Sequence, residues 1–442
     1  MQRFLLSLLS LVPMLAAAFT LTVKPGELAS SRPSLTPHMT VEVTGQVDAA
    51  DLAYLADSVP SGATLDLSGV RTEVLPPYIL AGLRASRLLL PAGLTSIGEG
   101  ALLGAEITDV EIPAGVTSLG NHSFAACRKL IGVTFASGNT LTSIPSRTFD
   151  GCVLLEVIDL PASVETIETR AFAGCNSLSE FKFTSRLERV GEEAFAASGI
   201  TGVDLSACRS LRAIGARAWA ECTALTSVSL PSVAVLDGDA IFMGCQSLAE
   251  VTLPQAASSL PSLTLAGASS LGTVTLPGTL AHIGESAFEG CTSLSEVNAR
   301  AIEGNVPSLG DRVWGGVNQP QVILRVAQPL EQDYLNALQW RDFSITTSSL
   351  RELPADAVAC SDSSVRVSAA FTDRMLTVSS DSPLTAVSVY ALDGTTLTVR
   401  PPSSGENRLV RMDTSRLSGT VFVVSVVAAA SDTPVIFKLL RR

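Results

Sequence analysis

Cysteine is the reactive residue type with the most regular spacing in this chain. Ser198 and Ala268 fill the same place in other units as most of the cysteines, so the position requires a small side chain, and we expect free, buried thiols there. Disulfides between neighbouring units, such as Cys222 to Cys245, are an alternative. A metal site is disfavoured, because the spacing is not that of CxxC ligand pairs. The cysteines concerned recur about every 23 residues or a multiple of that interval: Cys127, Cys152, Cys175, Cys222, Cys245 and Cys291.

The sequence contains no arrangement of residues typical of a catalytic centre. A nucleophile elbow, an HExxH motif and a phosphate-binding loop are all missing from it. His122 and His282 fall in turns of separate units, where surface histidines are expected. Asp237 and Asp239 have a spacing that calcium would accept, but a turn capped by aspartate is favoured. We therefore predict a protein that is not an enzyme and that holds neither a cofactor nor a metal ion.

These residues belong to a repeat of about 23 residues, and the repeat predicts the architecture. One unit cannot bury its own apolar face, so the units must stack into a solenoid. Leu102 and Leu265 stand where other units have an aromatic residue. The aromatic positions that align are Phe124, Phe149, Phe172, Phe195, Trp219, Phe242, Phe288 and Trp314.

Each unit contains three short segments with distinct patterns. An LxxVxL segment, as at residues 225–230, alternates inward and outward with period two and predicts a strand; the proline that follows ends its pairing. An LxxIG segment then predicts a second short strand, and its glycine turns the chain. The AFxxC segment is compatible with one helical or 3₁₀ turn that places the aromatic residue as a plug.

The outward positions of the LxxVxL strands are rich in carboxylates. We predict that they form a concave, acidic and hydroxyl-rich strip that binds a basic or hydroxylated macromolecule across many units. The alternative is that these residues are polar only because strand positions that face water must be polar. The strip lacks Trp, Tyr and Arg, which indicates weak, multivalent binding. Its acidic members are Asp109, Glu111, Asp159, Glu180, Asp204, Glu250 and Glu296, and Lys182 is its basic member.

The consensus LxxIGxxAFxxCxxLxxVxLP, seen from Leu280 through Phe288 and Cys291 to Leu294, resembles the BspA-type leucine-rich repeats of bacterial surface proteins. The resemblance implies a repeat solenoid, a β-rich (α/β) leucine-rich repeat right-handed superhelix, over residues 88–319. It departs from other leucine-rich repeats in having no asparagine ladder, so we expect the loop hydrogen bonds to be made by other groups. Host matrix proteins or other cell surfaces are the partners that the resemblance implies.

Both ends of the repeat region resemble the caps of such proteins, which a solenoid needs for solubility. Residues 19–87 are predicted to form the N-terminal cap, with a helix near Asp48 to Asp57. Residues 320–346 are predicted to form the C-terminal cap. In that cap we expect a helix from Leu330 to Trp340, with Trp340 and Phe343 closing the apolar stack.

Residues 347–364 are rich in Ser, Asp and Ala and are predicted to form a linker. Alternating segments after it predict a small all-β sandwich at 365–442, with a hairpin turn at 392–395. The segments AVSVYALDGT and FKLLRR resemble the C-terminal sorting domain of type IX secretion. That resemblance implies delivery by secretion machinery through residues 365–442.

Residues 1–18 have the pattern of a secretory signal peptide, with Arg3, an apolar stretch and Ala16 to Ala18 before the expected cleavage site. No later apolar run is long enough for a transmembrane segment. The formal net charge of −12 argues against nucleic acid as a partner. We predict an exported protein, secreted or on the outer face of the outer membrane, that acts as a protein-binding or adhesion module. The alternative is a structural component of the cell envelope that self-associates.

Overall fold

The chain, described here from a computed structural model, divides after Thr347 into two units, Met1–Thr347 and Ser348–Arg442. The structure describes residues 18–232, 236–302 and 304–347, together with the strands of the second unit given below. The predicted signal peptide therefore lies almost wholly outside the described residues.

The first unit is a solenoid whose LxxVxL segments form a ladder of parallel strands, called here the first ladder. Their inward residues, such as Val110 and Val228, are buried, and the residues on either side are exposed or partly exposed. This confirms the predicted alternation and the predicted solenoid. The strands are Ala18–Val23, Thr40–Gly45, Thr64–Val70, Arg87–Leu89, Asp109–Ile112, Gly132–Phe135, Val157–Ile158, Gly202–Asp204, Ser227–Ser229, Glu250–Thr252, Thr273–Thr275, Glu296–Asn298, Ile323–Arg325 and Ser344–Thr346.

The LxxIG segments form a second set of parallel strands, the second ladder. A side chain on the glycine that follows such a strand would collide with the preceding rung: a Cβ on Gly215 would lie 2.6 Å from the backbone nitrogen of Glu192. The glycines are therefore required by the close approach of successive rungs. The strands are Val74–Leu75, Ser96–Ile97, Ser118–Leu119, Ser143–Ile144, Thr166–Ile167, Arg189–Val190, Ala213–Ile214, Ser259–Leu260, His282–Ile283 and Ser308–Leu309.

The AFxxC segments form hydrogen-bonded turns rather than helices. In the unit of Phe124, both His122 and Ala126 have positive φ, at 59° and 56°, and left-handed residues at these points end any helical turn. The backbone N–H of His122, Phe124 and Ala126 instead donates to the next rung, to the carbonyls of Ser146, Thr148 and Asp150. This third hydrogen-bonded column, repeated in other units, supplies part of the bonding that an asparagine ladder would supply.

The plug residues form an aromatic column in the core of the solenoid. From Phe124 to Phe242, neighbouring ring centroids lie 5.2–5.8 Å apart with interplanar angles of 3–19°. Leu265 interrupts the column, which resumes with Phe288 and Trp314 at 4.7 Å. The predicted common stack of plug residues is confirmed, and it occupies the interior of the solenoid.

The cysteine thiols form a second internal column beside the aromatic one. Cys152 Sγ donates to the carbonyl of Phe124 at 3.1 Å, and Cys245 Sγ donates to that of Trp219 at 3.1 Å, in each case one rung back. The described cysteines are free and buried, which confirms the predicted free thiols; Cys360 lies outside the described residues. Cysteine is thus used here as a compact donor to a buried carbonyl as well as a small apolar side chain.

Two short helices, Glu27–Ser31 and Ala49–Ser58, lie between the first strands. The second confirms the helix predicted near Asp48 to Asp57, and the first was not predicted. Asp51 is fully buried and accepts from the backbone N–H of Gly26 at 2.7 Å and of Ala29 at 3.0 Å. Burial by itself raises the pKa of Asp51, but backbone donors, chiefly Ala29 and Gly26, outweigh it, and the net pKa is lowered. One carboxylate therefore ties the two cap helices together.

The C-terminal cap differs from prediction in its helix. The α-helix spans Glu331–Asn336, preceded by the 3₁₀ turns Gln319–Gln321 and Gln328–Leu330, and it does not reach Trp340. The chain leaves the helix at Ala337, whose backbone is extended (φ −81°, ψ 132°). Gln339 then has a φ of 63°, and its side chain bonds to the last rung, accepting from the N–H of Val313 at 3.1 Å. Gln339 thus replaces the missing next rung. Trp340 and Phe343 are buried and contact Trp314 with centroid distances of 5.4 and 5.0 Å, as predicted.

The second unit consists of two four-stranded antiparallel sheets, a small all-β sandwich as predicted. Leu376 and Val378 of one sheet and Val387 and Val389 of the other are buried. Val358–Ala359 pairs with Val367–Thr372 although it lies within the segment predicted to be a linker. The predicted turn 392–395 lies outside the described residues, but the strands on both sides pair. The first sheet contains Val358–Ala359, Val367–Thr372, Met375–Ser380 and Leu409–Asp413; the second contains Thr396–Val399, Leu384–Ala391, Val421–Ala428 and Ser431–Leu440.

Candidate partner-binding face

The outward side of the first ladder, called here the strand face, presents two columns of side chains. Parallel pairing in register places equivalent residues of successive rungs side by side. In one column Arg87 pairs with Asp109 and Asp109 with Gly132. In the same column Gly202, Ser227 and Glu250 are register partners. The other column contains Glu111 beside Thr134, and Asp204 beside Ser229.

Five of the seven predicted acidic residues lie in strands of the first ladder. Of the other two, Asp159 directly follows Val157–Ile158, and Glu180 lies in a rung that has no strand. That rung places Phe181 and Phe183 where neighbouring rungs have smaller aliphatic residues. The Phe181 ring packs edge-on against Phe195 at 4.9 Å.

Six of the predicted acidic residues are exposed, and Glu296 is the exception. Arg325, on the next rung, donates to both oxygens of Glu296 at 2.7 and 2.9 Å, and its side chain is only 13% exposed. The hydrogen bond to Glu296 raises the pKa of Arg325. The structure thus neutralises the carboxylate at the C-terminal end of the strip and leaves the others facing solvent.

Two further carboxylates, which were not predicted from the sequence, extend the same face toward the N-terminus. Glu42 and Asp66 are register partners, and Asp66 pairs in turn with Leu89. The Thr20 hydroxyl donates to Glu42 at 3.0 Å. The alternating segments VEV and LDL indicate outward positions for these two carboxylates, but both segments fall in the region predicted to form the N-terminal cap.

Two depressions open on the strand face where the first column has glycine instead of a side chain. One has a volume of about 570 Å³ and includes Gly132, Asp109 and Glu111 in its lining, with Arg87 on its N-terminal wall. The other has a volume of about 490 Å³ and is lined in part by Gly202. Its acidic lining residues are Glu180, Asp204 and Glu250.

Local hydrogen bonds stabilise the ionised form of Asp204 in the second depression. Ser206 donates to Asp204 from its side chain and from its backbone N–H, the latter at 3.0 Å, and these bonds lower the pKa of Asp204. Asp204 is therefore ionised throughout the neutral range. Among the described residues no lysine or arginine lines this depression, and exposed Lys182, in the rung of Glu180, is the basic residue beside it. Three carboxylates against this one lysine present a net negative potential to solvent.

One exposed aliphatic side chain, Val157, lies on the same face between the two depressions and is 56% exposed. Its register partner is Gly132, which offers no side chain to cover it. Ile131, directly before the strand Gly132–Phe135, is also exposed, at 40%. The face therefore combines an apolar ridge with acidic depressions on either side.

Other predicted positions do not join into a site. His282 is exposed and bonds Ser308 at 2.9 Å, whereas His122 lies in a turn far along the chain from it. Asp239 accepts from the N–H of Ser262 at 3.0 Å, which is a role in a turn. In the part of the chain that the structure describes, no group of three or more His, Cys, Asp or Glu side chains is arranged to hold a metal ion. Within those same residues no helix is both long and apolar enough to cross a bilayer.

The repeated rung, its glycine turn and its plug place the chain in a known family. The model of the BspA type leucine-rich repeat region, in six copies, matches residues 95–210 and 203–316. The chain belongs to the BspA-type leucine-rich repeat family. No curated protein matches its sequence.

Three solved structures are similar to this BspA-type protein. A leucine-rich repeat protein from Bacteroides ovatus ATCC 8483 is 21% identical to this chain and superimposes with a TM-score of 0.55. The match covers 74% of this chain and 86% of the Bacteroides ovatus chain. The pneumococcal vaccine antigen PcpA is 15% identical, with coverage of 65% and 79% and a TM-score of 0.38. A leucine-rich repeat protein from Eubacterium ventriosum ATCC 27560 is 16% identical, with coverage of 65% and 83% and a TM-score of 0.34. The first similarity supports the solenoid fold.

Proposed function

We propose that this BspA-type protein is exported and binds a protein partner through the acidic strand face. The observation that carries the proposal is that solvent-facing carboxylates, two depressions and an apolar ridge lie together on one face of the solenoid. Broad repeat surfaces of this kind bind macromolecules by many contacts spread over several rungs. Host matrix or another cell surface supplies such partners, in line with the resemblance to bacterial surface proteins.

The chemistry of the face supports binding rather than catalysis. The carboxylates of the second depression lie around an open, shallow hollow, and the cysteine thiols of the described residues are buried. Burial raises the pKa of Cys291 to about 12, so its reactive thiolate is not formed at neutral pH. A non-enzymatic binding module is the function that this arrangement favours.

A binding experiment tests the face. The full chain and a variant with Glu180→Gln, Asp204→Asn and Glu250→Gln are compared for capture of proteins from host extracellular matrix at moderate salt. We expect the variant to lose most of the captured partner, because attraction to exposed carboxylates is lost while the fold is retained. A matched variant, Glu285→Gln with Glu289→Gln, changes carboxylates away from the strand face and should bind normally. Equal capture by all three proteins contradicts the proposal, and self-association without a captured partner supports the structural envelope role instead.

For delivery, we propose that residues 1–18 direct export and that residues 365–442 act as a sorting domain. The support is the pattern of the leader and the resemblance of the last strands to type IX sorting domains. Deleting residues 365–442 in the native host should trap the protein inside the envelope. Normal surface display of the truncated chain refutes the sorting role.

A further inference from the structure

The spacing of the two depressions on the strand face defines a recognition pattern. Gly132 and Gly202 occupy the same column, with Val157 and Glu180 at the two intermediate rungs. Neighbouring strands lie about 4.8 Å apart, so three rung steps separate the depressions by about 14 Å. A ligand that uses both must present two groups at that separation.

An extended polypeptide that crosses the strands meets this requirement. Its rise of about 3.3 Å per residue places residues i and i+4 about 13 Å apart, and both point to the same side. Residue i+2 points to that side as well and falls over the ridge next to Val157. Thus alternate residues of one extended segment match the two depressions and the ridge.

The lining of each site indicates what those residues are. The first depression offers the two carboxylates of Asp109 and Glu111 against the single guanidinium of Arg87 on its N-terminal wall. The second offers Glu180, Asp204 and Glu250 with no basic residue in its lining. Both therefore favour cations, and the second favours them more strongly. Val157, at 56% exposed, favours an aliphatic side chain. We propose, building on the proposed function, that the strand face binds an extended basic segment with the pattern cation, any residue, aliphatic residue, any residue, cation.

Glycine at the floor of the second depression provides a test that leaves the charges intact. A Cβ on Gly202 would meet only the hydroxyl of Ser227, at 3.5 Å, and the residue lies in a strand, where valine is well tolerated. Gly202→Val therefore fills the depression without straining the backbone. Gly272→Val is the matched control, because a Cβ there meets nothing within 4 Å and the residue lines neither depression.

The probes are two nine-residue peptides that each contain two lysines and one valine, with threonine and serine at the other positions. In the first peptide the lysines stand at positions i and i+4 with valine at i+2. In the second peptide the lysines stand at positions i and i+3. Binding to the full chain is measured by fluorescence anisotropy at low salt. We expect the first peptide to bind at least about tenfold tighter, a difference that corresponds to about 1.4 kcal/mol. Gly202→Val should remove this advantage, and Gly272→Val should keep it; circular dichroism checks that both variants are folded.

The outcomes separate this inference from the proposed function. Equal binding of the two peptides, abolished in both cases by Glu180→Gln with Asp204→Asn, leaves an acidic binding face but overturns the spacing. An undiminished advantage in Gly202→Val overturns the assignment of the second depression. If neither peptide binds and the carboxylate variant still captures its partner normally, both proposals are overturned. If Gly202→Val does not fold, the Glu180→Gln variant, which should weaken the first peptide more than the second, replaces it.

Discussion

Replacement of Phe172 by alanine tests the aromatic column that holds the rungs together. Phe172 is fully buried, stacks on Phe149 at 5.4 Å and on Phe195 at 5.2 Å, and meets the edge of Phe181 at 5.1 Å. Truncation of a buried phenylalanine costs about 3–5 kcal/mol. Three aromatic contacts, each contributing about 0.5–1.5 kcal/mol, place the expected loss of unfolding free energy in the upper half of that range.

Urea denaturation followed by circular dichroism measures this loss through the transition midpoint. Phe172→Leu should cost about 1–2 kcal/mol, because Leu102 and Leu265 fill the same place in other rungs. Leu338→Ala, at a side chain that is 70% exposed, should change stability by less than about 0.5 kcal/mol. If Phe172→Ala unfolds at the same midpoint as Leu338→Ala, the column does not carry the stability that its geometry implies.

Three further predictions address the N-terminal cap, the glycine turns and the thiols. Because the pKa of Asp51 is lowered in the folded chain, its stabilisation is full above its unfolded pKa and is lost as pH falls through the folded value. Asp51→Asn should therefore lower the melting temperature at pH 7 but little at pH 2.5, and an equal loss at both pH values would show that the charge is not involved. Gly215→Ala should destabilise by about 1–3 kcal/mol, because its Cβ would lie 2.6 Å from backbone of the preceding rung, whereas Gly272→Ala should not; equal urea midpoints would contradict the close approach. The described thiols should resist iodoacetamide at pH 8 in the native chain and react after denaturation without reductant, as counted by mass spectrometry; labelling of the native Cys291, whose pKa burial raises to about 12, would disprove its burial.

The acidic strip shows where prediction from sequence succeeds and where it stops. Alternation around Val110 and Val203 is enough to place Asp109 and Asp204 on the outer face, because strand side chains alternate with period two. It does not show that Glu296 is paired, because its partner, Arg325, is 29 residues further along the chain and becomes a neighbour only through register. The alternation also does not show that Gly132 and Gly202 open depressions, because the space above a glycine depends on the side chains of the neighbouring rungs.

The chain by itself determined the stacked units, their inward residues and the small position taken by cysteine. These follow from local periodicity, and a unit that cannot bury its own apolar face has to stack. Only the tertiary structure decided which groups satisfy each other across rungs: the thiols with plug carbonyls, Gln339 with the last rung, and the turns with one another. The physical reason is that these partners are about 23 residues or more apart in sequence, and their contact depends on the register and spacing of neighbouring coils, which no local pattern records.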